Sequence, residues 1–318
     1  MAAITLKLTN PGYIDRLNTG ANALDKQLDA LVERYNNIPI QGLSLFRTVT
    51  PRAGSYKEAT FGNQYELPRK SEDADAVPYV NPVQGFLKTF TTTTYRLGVR
   101  VERSLTEQEL FPYAKRAMSG LMNSGRLILE YSTADVINNA TTASGYDGAD
   151  GVSLANASHP HERRDTGTWS NLETGAALTH TSFSTARTNL RKRQNEFGYP
   201  MVVKATKIVV PPDLEEAARV ILASEYKSGG SLNDRNVFQN SVEVMVWDYL
   251  TDTNAWLLLG DIPKENCGLI YGEEIAPGIA PCTGSDISTD IIWAERLRMR
   301  FVTGFTVEKN IQYNAGPS

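Results

Sequence analysis

The sequence predicts an α+β fold organised around one long helix. Apolar and small side chains recur in steps of three and four between residues 104 and 143, which is typical of a helix. Residues 86–101 and 290–313 alternate as β-strands do, and residues 177–285 mix short helical and short extended segments. With 318 residues, the chain is long enough for one large domain or two medium ones.

The long helix has two start signals. Ser104 to Glu107 (SLTE) match a capping box, and Pro112 suits a first helical turn. From Pro112 to Ala140 the rod would measure about 40 Å at 1.5 Å per residue, and Gly145 is the expected stop. Such a rod suits a scaffold, and the alternative is an ordinary amphipathic helix of a globular domain. Its packing stripe is predicted to be Ala114, Ala117, Met118, Leu121, Gly125, Ile128, Leu129, Ser132 and Val136.

Two segments before this helix are poorly suited to packing on themselves. Residues 1–40 have one short helical pattern and suit an arm that lies on another surface, and residues 43–49 suit a short strand. Residues 52–85 are polar, with a charged tip at 69–75, and residues 86–101 form a strong strand pattern. Together they predict a long hairpin. Because an isolated two-stranded ribbon is barely stable in water, a neighbouring subunit would have to cover it. The alternative is a disordered surface loop.

The second half predicts a compact α+β unit. Residues 181–196 suit an amphipathic helix with Phe183, Ala186 and Leu190 inward, residues 202–210 a strand, and residues 213–224 a second helix. Residues 242–249 and 255–259 are predicted to pair with each other as two buried strands.

The last strand pattern, residues 290–313, is two-faced. Arginines at 296, 298 and 300 alternate with Leu297, Met299 and Phe301. The segment has no core of its own, so we expect its apolar face to pack beneath the long helix.

Composition and local sequence patterns exclude several classes of protein. The net charge of −4 and the pI of about 5.6 provide no overall basic field for nucleic acid. Cys267 and Cys282 lack metal-ligand spacing and are expected to be free thiols of a protein made in a reducing cytosol. The N-terminus has no signal-peptide pattern, and no apolar stretch is long enough to span a membrane.

No motif predicts an active site. His159 and His161 flank a proline and could in principle hold one metal ion, as in a metal-dependent hydrolase, but no carboxylate or cysteine lies at ligand spacing. Residues 147–151 (DGADG) lack the later ligands of a calcium loop and predict a turn. We therefore expect no catalytic residue, no cofactor and no metal, and we expect the protein not to be an enzyme.

Three sequence segments follow one another along the chain in a characteristic order. These are DGVSLANASHPH at 150–161, NEFGYPMVVKATKIVVPPDLEEAARVILAS at 195–224 and VEVMVWDYLTDTNAWLLLGD at 242–261. With the succession of arm, charged hairpin, long helix, α+β unit and returning strands, they resemble the major capsid proteins of tailed bacteriophages, the Hong Kong 97-like fold, and Mu-like and related head subunits in particular. The resemblance implies an N-arm at 1–50, an E-loop hairpin at 51–101, a P-domain with the spine helix at 102–176, an A-domain at 177–288 and P-domain return strands at 289–318.

The resemblance also implies a function. The chain would form hexamers and pentamers of an icosahedral shell around double-stranded DNA, held non-specifically, in the virion, with assembly in the host cytoplasm. The implied partners are further copies of itself, a portal protein, a decoration protein and, because the arm is short, a separate scaffolding protein; no membrane is implied. Hairpin residues expected at the contact between subunits are Tyr56, Lys57, Phe61, Tyr65, Arg69, Lys70, Glu72 and Asp73.

The resemblance leaves two questions, covalent crosslinking and the identity of the shell. The founding member of the fold crosslinks a hairpin lysine to a neighbour's asparagine, but no matching asparagine or catalytic glutamate can be placed here, so we predict no crosslink. An encapsulin, which is a cellular compartment shell of the same fold enclosing a cargo enzyme, is the alternative function.

Overall fold

The computed structural model describes residues 7–8, 39–61, 67–68, 70, 77, 79, 84–102, 110–162, 167–226, 234–261, 267–281, 291–307 and 309–317. Its contacts divide the chain into two compact units. Unit 1 comprises Met1–Tyr56, Phe90–Thr133 and Tyr271–Thr303, and unit 2 comprises Lys57–Thr89, Ala134–Ile270 and Gly304–Ser318. The capsid segment boundaries expected from the sequence stay predictions. The proposed arm helix, the capping box at 104–107 and the hairpin tip lie outside the described residues.

The helices and strands have the following bounds. The helices are α1 (Leu110–Asn138), α2 (His180–Arg191) and α3 (Glu215–Ala223), with single 3₁₀ turns at Gly42–Leu45 and Pro212–Leu214. The strands are β1 (Lys7–Leu8), β2 (Arg47–Val49), β3 (Ser55–Phe61), β4 (Gln84–Thr91), β5 (Thr93–Glu102), β6 (His159–Pro160), β7 (Thr168–Trp169), β8 (Leu172–Glu173), β9 (Ala205–Val210), β10 (Glu243–Val246), β11 (Trp256–Gly260), β12 (Leu269–Pro281), β13 (Ile291–Phe305) and β14 (Ile311–Asn314). The predicted α+β class is confirmed.

Helix α1 is the predicted rod, and most of its stripe is buried. Met118, Leu121, Leu129 and Val136 are each at most 4% exposed. The buried surface is wider than predicted, because it also includes Met122, Thr133, Ala134 and Ile137. The helix ends at Asn138, seven residues before Gly145, so Gly145 (φ +80°) serves a later turn and the predicted stop is wrong.

In unit 1 the strand order is β1-β12-β13-β5, with β2 also paired to β12. Strands β13 and β5 are antiparallel over ten residue pairs, from Ile291–Glu102 to Phe301–Thr93. Leu297 and Met299 are buried and face α1, where a Cβ on Gly125 would lie 2.7 Å from Leu297 Cδ2. The returning strand thus packs against the long helix as predicted, and the glycine permits that close approach.

In unit 2 the strand order is β10-β9-β11-β14-β8. The prediction that residues 242–249 and 255–259 pair with each other is wrong, because β9 lies between β10 and β11. Strand β10 is parallel to β9 and β11 is antiparallel to it. Strands β10 and β11 are both rich in apolar residues. Strand β9 lies between them, and its last three residues are buried. Phe183, Ala186 and Leu190 of α2 pack with this sheet as predicted.

Three further strand predictions are corrected. Residues 86–101 form two strands, β4 and β5, interrupted at Thr92, and the two strands join different sheets. Residues 43–49 begin with a 3₁₀ turn and only then form β2. The strand expected at 202–210 begins at Ala205, because Val202 adopts φ +53°, a left-handed conformation that interrupts an extended chain.

Candidate functional site

The predicted hairpin is present as a two-stranded ribbon. Strands β3 and β4 pair with each other and with no third strand in the described part of the chain. Seven and eight residues long, they would each extend about 25 Å at 3.3 Å per residue. A ribbon of two strands buries little surface by itself, so its stability depends on what covers it.

The structure places half of the predicted contact residues. Tyr56 is half-buried, with its ring centroid 6.4 Å from that of Phe90 in unit 1. Lys57 and Lys70 are exposed, and Phe61 is the last residue of β3. The remaining four residues, Tyr65, Arg69, Glu72 and Asp73, lie outside the described part, so the predicted cluster remains a prediction as a whole.

Exposed apolar side chains mark this segment. Leu67, Val77 and Tyr79 are 62%, 66% and 90% exposed, and Leu87 on β4 is 52% exposed. Scattered exposed apolar residues are ordinary on a protein surface, but four in the hairpin segment form an unusual concentration. They make the ribbon a candidate for burial against another molecule.

The base of the ribbon is held within unit 2 by an ion pair. Lys88 Nζ on β4 donates to Asp147 Oδ2 at 2.8 Å and to the Asp147 carbonyl oxygen at 2.8 Å. The hydrogen bond from Lys88 lowers the pKa of the Asp147 carboxyl below its ordinary value of 3.8. Residues 147–153 form the predicted turn, closed by an isolated bridge between Asp147 and Ser153. Sequence reasoning missed this pair, because Lys88 and Asp147 lie 59 residues apart and no sequence pattern connects them.

A second exposed surface lies in unit 1 on strands β5 and β13. Opposite residues of an antiparallel pair share a face, and Arg298 stands opposite Arg96. Residues two apart along each strand share that face too. We call the resulting set the arginine face: Arg96, Arg100, Arg296, Arg298 and Arg300. The sequence indicated the three arginines of β13, but the two of β5 join them only through a register that spans about 200 residues.

One member of the arginine face is neutralised locally. Arg300 Nη1 donates to Glu274 Oε1 at 3.1 Å, and its Nε donates to Thr94 Oγ1 at 2.8 Å. Glu274 also accepts from Thr92 Oγ1 at 2.5 Å, and this bond, followed by Arg300, lowers the pKa of the Glu274 carboxyl. The other four arginines are exposed, and no ion pair joins them to a carboxylate among the described residues.

A buried carboxylate anchors the segment before β2. Glu130 of α1 is 3% exposed, and it accepts from Gln41 N at 2.6 Å and from Gly42 N at 3.2 Å. These amides open the 3₁₀ turn at Gly42–Leu45, where backbone donors have no partner within the turn. Glu130 is not part of the packing stripe predicted for this helix. It is buried because the two amides satisfy its charge.

The two histidines that suggested a metal site turn to different carboxylates. His159, 1% exposed, has Nδ1 2.7 Å from Asp150 Oδ2 and Nε2 3.1 Å from Asn171 Oδ1. His161 Nδ1 lies 3.6 Å from Glu196 Oε2. No carboxylate lies at ligand spacing from them in the sequence, but the turn at 147–151 returns Asp150 to His159. Both ring nitrogens of His159 face oxygen acceptors, so neither is directed at a space where a metal ion could bind.

Around these histidines, unit 2 contains a stacked polar cluster. The His159 and Trp169 ring centroids lie 4.3 Å apart, and the guanidinium carbon of Arg193 lies 4.8 Å from the Trp169 ring centroid. Arg193 Nη1 donates to Ser170 O at 2.7 Å, and Nη2 donates to Gln312 Oε1 at 2.9 Å. Burial lowers the pKa of Arg193 to about 10. The cluster ties together β7, the residues that follow α2, and β14.

The described part of the chain contains neither a cluster of metal ligands nor a helix that could cross a membrane. No three histidine, cysteine, aspartate or glutamate side chains in this part converge as metal ligands would. None of its helices combines the length and apolar character needed to cross a bilayer. Cys267 Sγ lies 3.8 Å from the Leu269 carbonyl oxygen, and Cys282 lies outside the described part.

Comparison with known proteins gives one family and one fold. The profile of the family described as phage capsid protein matches residues 87–313. The chain is similar to the capsid protein of Ralstonia phage GP4 (9% identity, TM-score 0.52, 85% of this chain and 86% of that one covered). It is also similar to the capsid protein of cyanophage P-SCSP1u (9% identity, TM-score 0.51, 85% and 86% covered). A phage-related protein from Bordetella bronchiseptica RB50 has 11% identity and a TM-score of 0.51, with 91% and 97% covered. No curated protein sequence matches the chain. At these identities the structural likeness concerns the fold.

Proposed function

Since the chain belongs to the phage capsid protein family, we propose that it is the major subunit of a tailed-phage head. In this role it assembles into hexamers and pentamers of an icosahedral shell that encloses double-stranded DNA. The shell is part of the virion, and the subunits assemble in the host cytoplasm. We assign the chain a structural role and no reaction.

The observation that carries the proposal is the β3–β4 ribbon. It has no third strand in the described part, and four apolar side chains in its segment are at least half exposed. Such a ribbon becomes stable when a neighbouring subunit covers it. In a closed shell every ribbon meets an identical neighbour, so weak contacts act together in large number.

The partners follow from the same role. The subunit contacts further copies of itself, a separate scaffolding protein during assembly, a portal protein at one vertex and a decoration protein on the outside. Packaged DNA is held without sequence specificity. No covalent crosslink between subunits is expected.

Electron microscopy of the purified full-length chain, alone and together with the products of neighbouring genes, tests the proposal. Uniform closed shells are expected, and in denaturing electrophoresis their subunits should separate completely into monomers. Shells isolated from phage-producing cells should contain nuclease-protected double-stranded DNA. A chain that stays monomeric at high concentration with every neighbouring product present would overturn the proposal, and shells filled with a cargo enzyme in place of DNA would indicate an encapsulin.

A substitution on the ribbon tests the observation itself. Leu87→Asp places a charge on an exposed position of β4 and should leave the fold of the free subunit unchanged, while it abolishes shell formation. Val237→Asp is the matched control, because Val237 is 82% exposed and lies outside the ribbon. Equal assembly of the Leu87→Asp variant and wild type would remove the ribbon from the proposed contact.

A further inference from the structure

We propose that His159 and Asp150 form a buried proton-binding pair, in which the imidazole stays doubly protonated at neutral and mildly alkaline pH. Their side chains are 2% and 0% exposed, and His159 Nδ1 lies 2.7 Å from Asp150 Oδ2. The bound proton locks the turn at 147–153 in place. The inference concerns the folded subunit alone, goes beyond the proposed shell function, and can fail without affecting it.

The hydrogen bonds of Asn171 determine the protonation of His159 at Nε2. Asn171 Nδ2 donates to the Leu154 carbonyl oxygen at 2.7 Å, and Asn171 Oδ1 accepts from the Asn156 backbone N–H at 2.8 Å. Because a carbonyl oxygen only accepts and a backbone N–H only donates, these two bonds fix the orientation of the amide group. The atom that lies 3.1 Å from His159 Nε2 is therefore an acceptor oxygen, and Nε2 carries the hydrogen that it donates.

A second proton is then required at Nδ1. If Nδ1 were unprotonated, its lone pair would face the Asp150 carboxylate across 2.7 Å, which would bring two acceptors into contact. One proton between the two groups replaces this repulsion by a short, charge-assisted hydrogen bond. The proton belongs to the imidazole, because a carboxylic acid is ordinarily a stronger acid than an imidazolium. The resulting buried charge is paired and hydrogen-bonded, which are the conditions under which proteins retain one.

Both favourable and unfavourable groups surround the His159 imidazole. The Trp169 ring stacks on it, with centroids 4.3 Å apart and an interplanar angle of 16°, and the face of an indole attracts a cation. Arg193 and Lys309 oppose a charge on His159, since these cations lie 4.8 and 5.7 Å from the centroid of the same indole ring. Asp150 outweighs them because the Coulomb energy falls with distance and Asp150 is in direct contact. Other charged groups of this region form pairs among themselves: Lys309 with Glu196, His161 with Glu196, and Lys88 with Asp147.

The pair positions the turn that holds the base of the ribbon. Asp150 lies three residues after Asp147, which accepts the hydrogen bonds of Lys88. His159 is the first residue of β6, so the pair ties this turn to the antiparallel β6–β7 pair. Because the contact between His159 and Asp150 depends on one proton, the turn loses this anchor when the proton leaves.

Nitrogen NMR of the full-length chain labelled with ¹⁵N-histidine tests the protonation state, in solution for free subunits or by magic-angle spinning for shells. The chain contains three histidines, so the variant His161→Gln, His180→Gln leaves His159 as the only labelled one. Both ring nitrogens of His159 should be protonated at about pH 8, where a free imidazole, with a pKa of about 6.5, is almost entirely neutral. When Asp150→Asn is added, only Nε2 should remain protonated, because the new amide group can donate to Nδ1. A single protonated nitrogen at about pH 8 with Asp150 intact would overturn the proposal.

Denaturant unfolding across a pH series tests the link between the proton and stability. Above about pH 7 the folded chain retains a proton that the unfolded chain releases, so stability falls as the pH rises. The unfolding equilibrium constant of wild type should therefore rise about tenfold more per pH unit than that of Asp150→Asn. Asp261→Asn removes the same charge at an exposed position and should keep the wild-type slope. Equal slopes for wild type and Asp150→Asn would overturn the proposal, and if Asp150→Asn fails to fold, the nitrogen spectrum with Asp150 intact decides alone.

Discussion

Replacing Glu130 by alanine is expected to destabilise the subunit by about 3–4 kcal/mol. Glu130 is 3% exposed and accepts two backbone hydrogen bonds, from Gln41 N at 2.6 Å and Gly42 N at 3.2 Å. Hydrogen bonds to a charged group are worth about 1.5–3 kcal/mol each, and the longer bond belongs at the lower end of that range. The substitution also leaves the amide of Gly42 buried without an acceptor.

Glu130→Gln should cost less, about 2 kcal/mol, since the amide keeps the shape of the side chain but retains a single acceptor oxygen. Thermal unfolding of the unassembled subunit measures both effects. For a chain of this size, about 2 °C per kcal/mol predicts a fall in melting temperature of about 6–8 °C for alanine and about 4 °C for glutamine. Glu225→Gln, at an exposed position after α3, is the control and should shift the melting temperature by less than about 1 °C.

The order of the melting temperatures of the three variants tests this explanation. If Glu130→Ala unfolds at the same temperature as Glu225→Gln, the two hydrogen bonds do not stabilise the subunit. If Glu130→Gln is as damaging as Glu130→Ala, the loss comes from the charge, and the count of acceptor oxygens is the wrong explanation.

The remaining predictions concern the ribbon base and the helix–sheet contact. Lys88→Met should lower the free energy of unfolding by less than about 1 kcal/mol at pH 7, because the Asp147 side chain is 44% exposed and solvent screens the pair. Since Lys88 lowers the folded-state pKa of Asp147, this stability is present above the ordinary value of 3.8 and is lost as the pH falls through the folded pKa. Denaturation curves of the Met variant and wild type should therefore converge in acid, and a difference that persists there would contradict the pair. Gly125→Ala should stay within about 1 kcal/mol of wild type, because better helix propensity offsets the displacement of Leu297 Cδ2, which lies 2.7 Å from the new Cβ. Gly125→Val should cost at least about 2 kcal/mol in the same denaturation assay, and an unaffected Val variant would mean that α1 does not pack closely on β13.

Local periodicity predicted the elements that depend on neighbours along the chain. The stripe on α1, the inward face of α2 and the alternation of Arg296 and Arg298 with Leu297 and Met299 all follow from residue spacing alone. These features are short-range, so the spacing of residues along the chain is enough to predict them.

Pairings between distant segments could not be predicted in the same way. Strands β10 and β11 are both apolar and adjacent in sequence, which favours a hairpin, yet β9 separates them. Glu130 looks like a surface residue until Gln41 and Gly42, 89 and 88 residues earlier, supply their amides. Polar residues become buried where a distant partner satisfies them, and composition does not reveal that partner.

The position of β14 within unit 2 has a consequence for biosynthesis. Ile311–Asn314 lies between β11 and β8, so Leu172 pairs with Tyr313, which is translated 141 residues later. Strand β5 likewise has no partner until its neighbour β13 has been translated. A growing polypeptide on the ribosome therefore cannot complete either sheet until residues 291–314 have emerged, and until then the edges of the neighbouring strands stay unpaired.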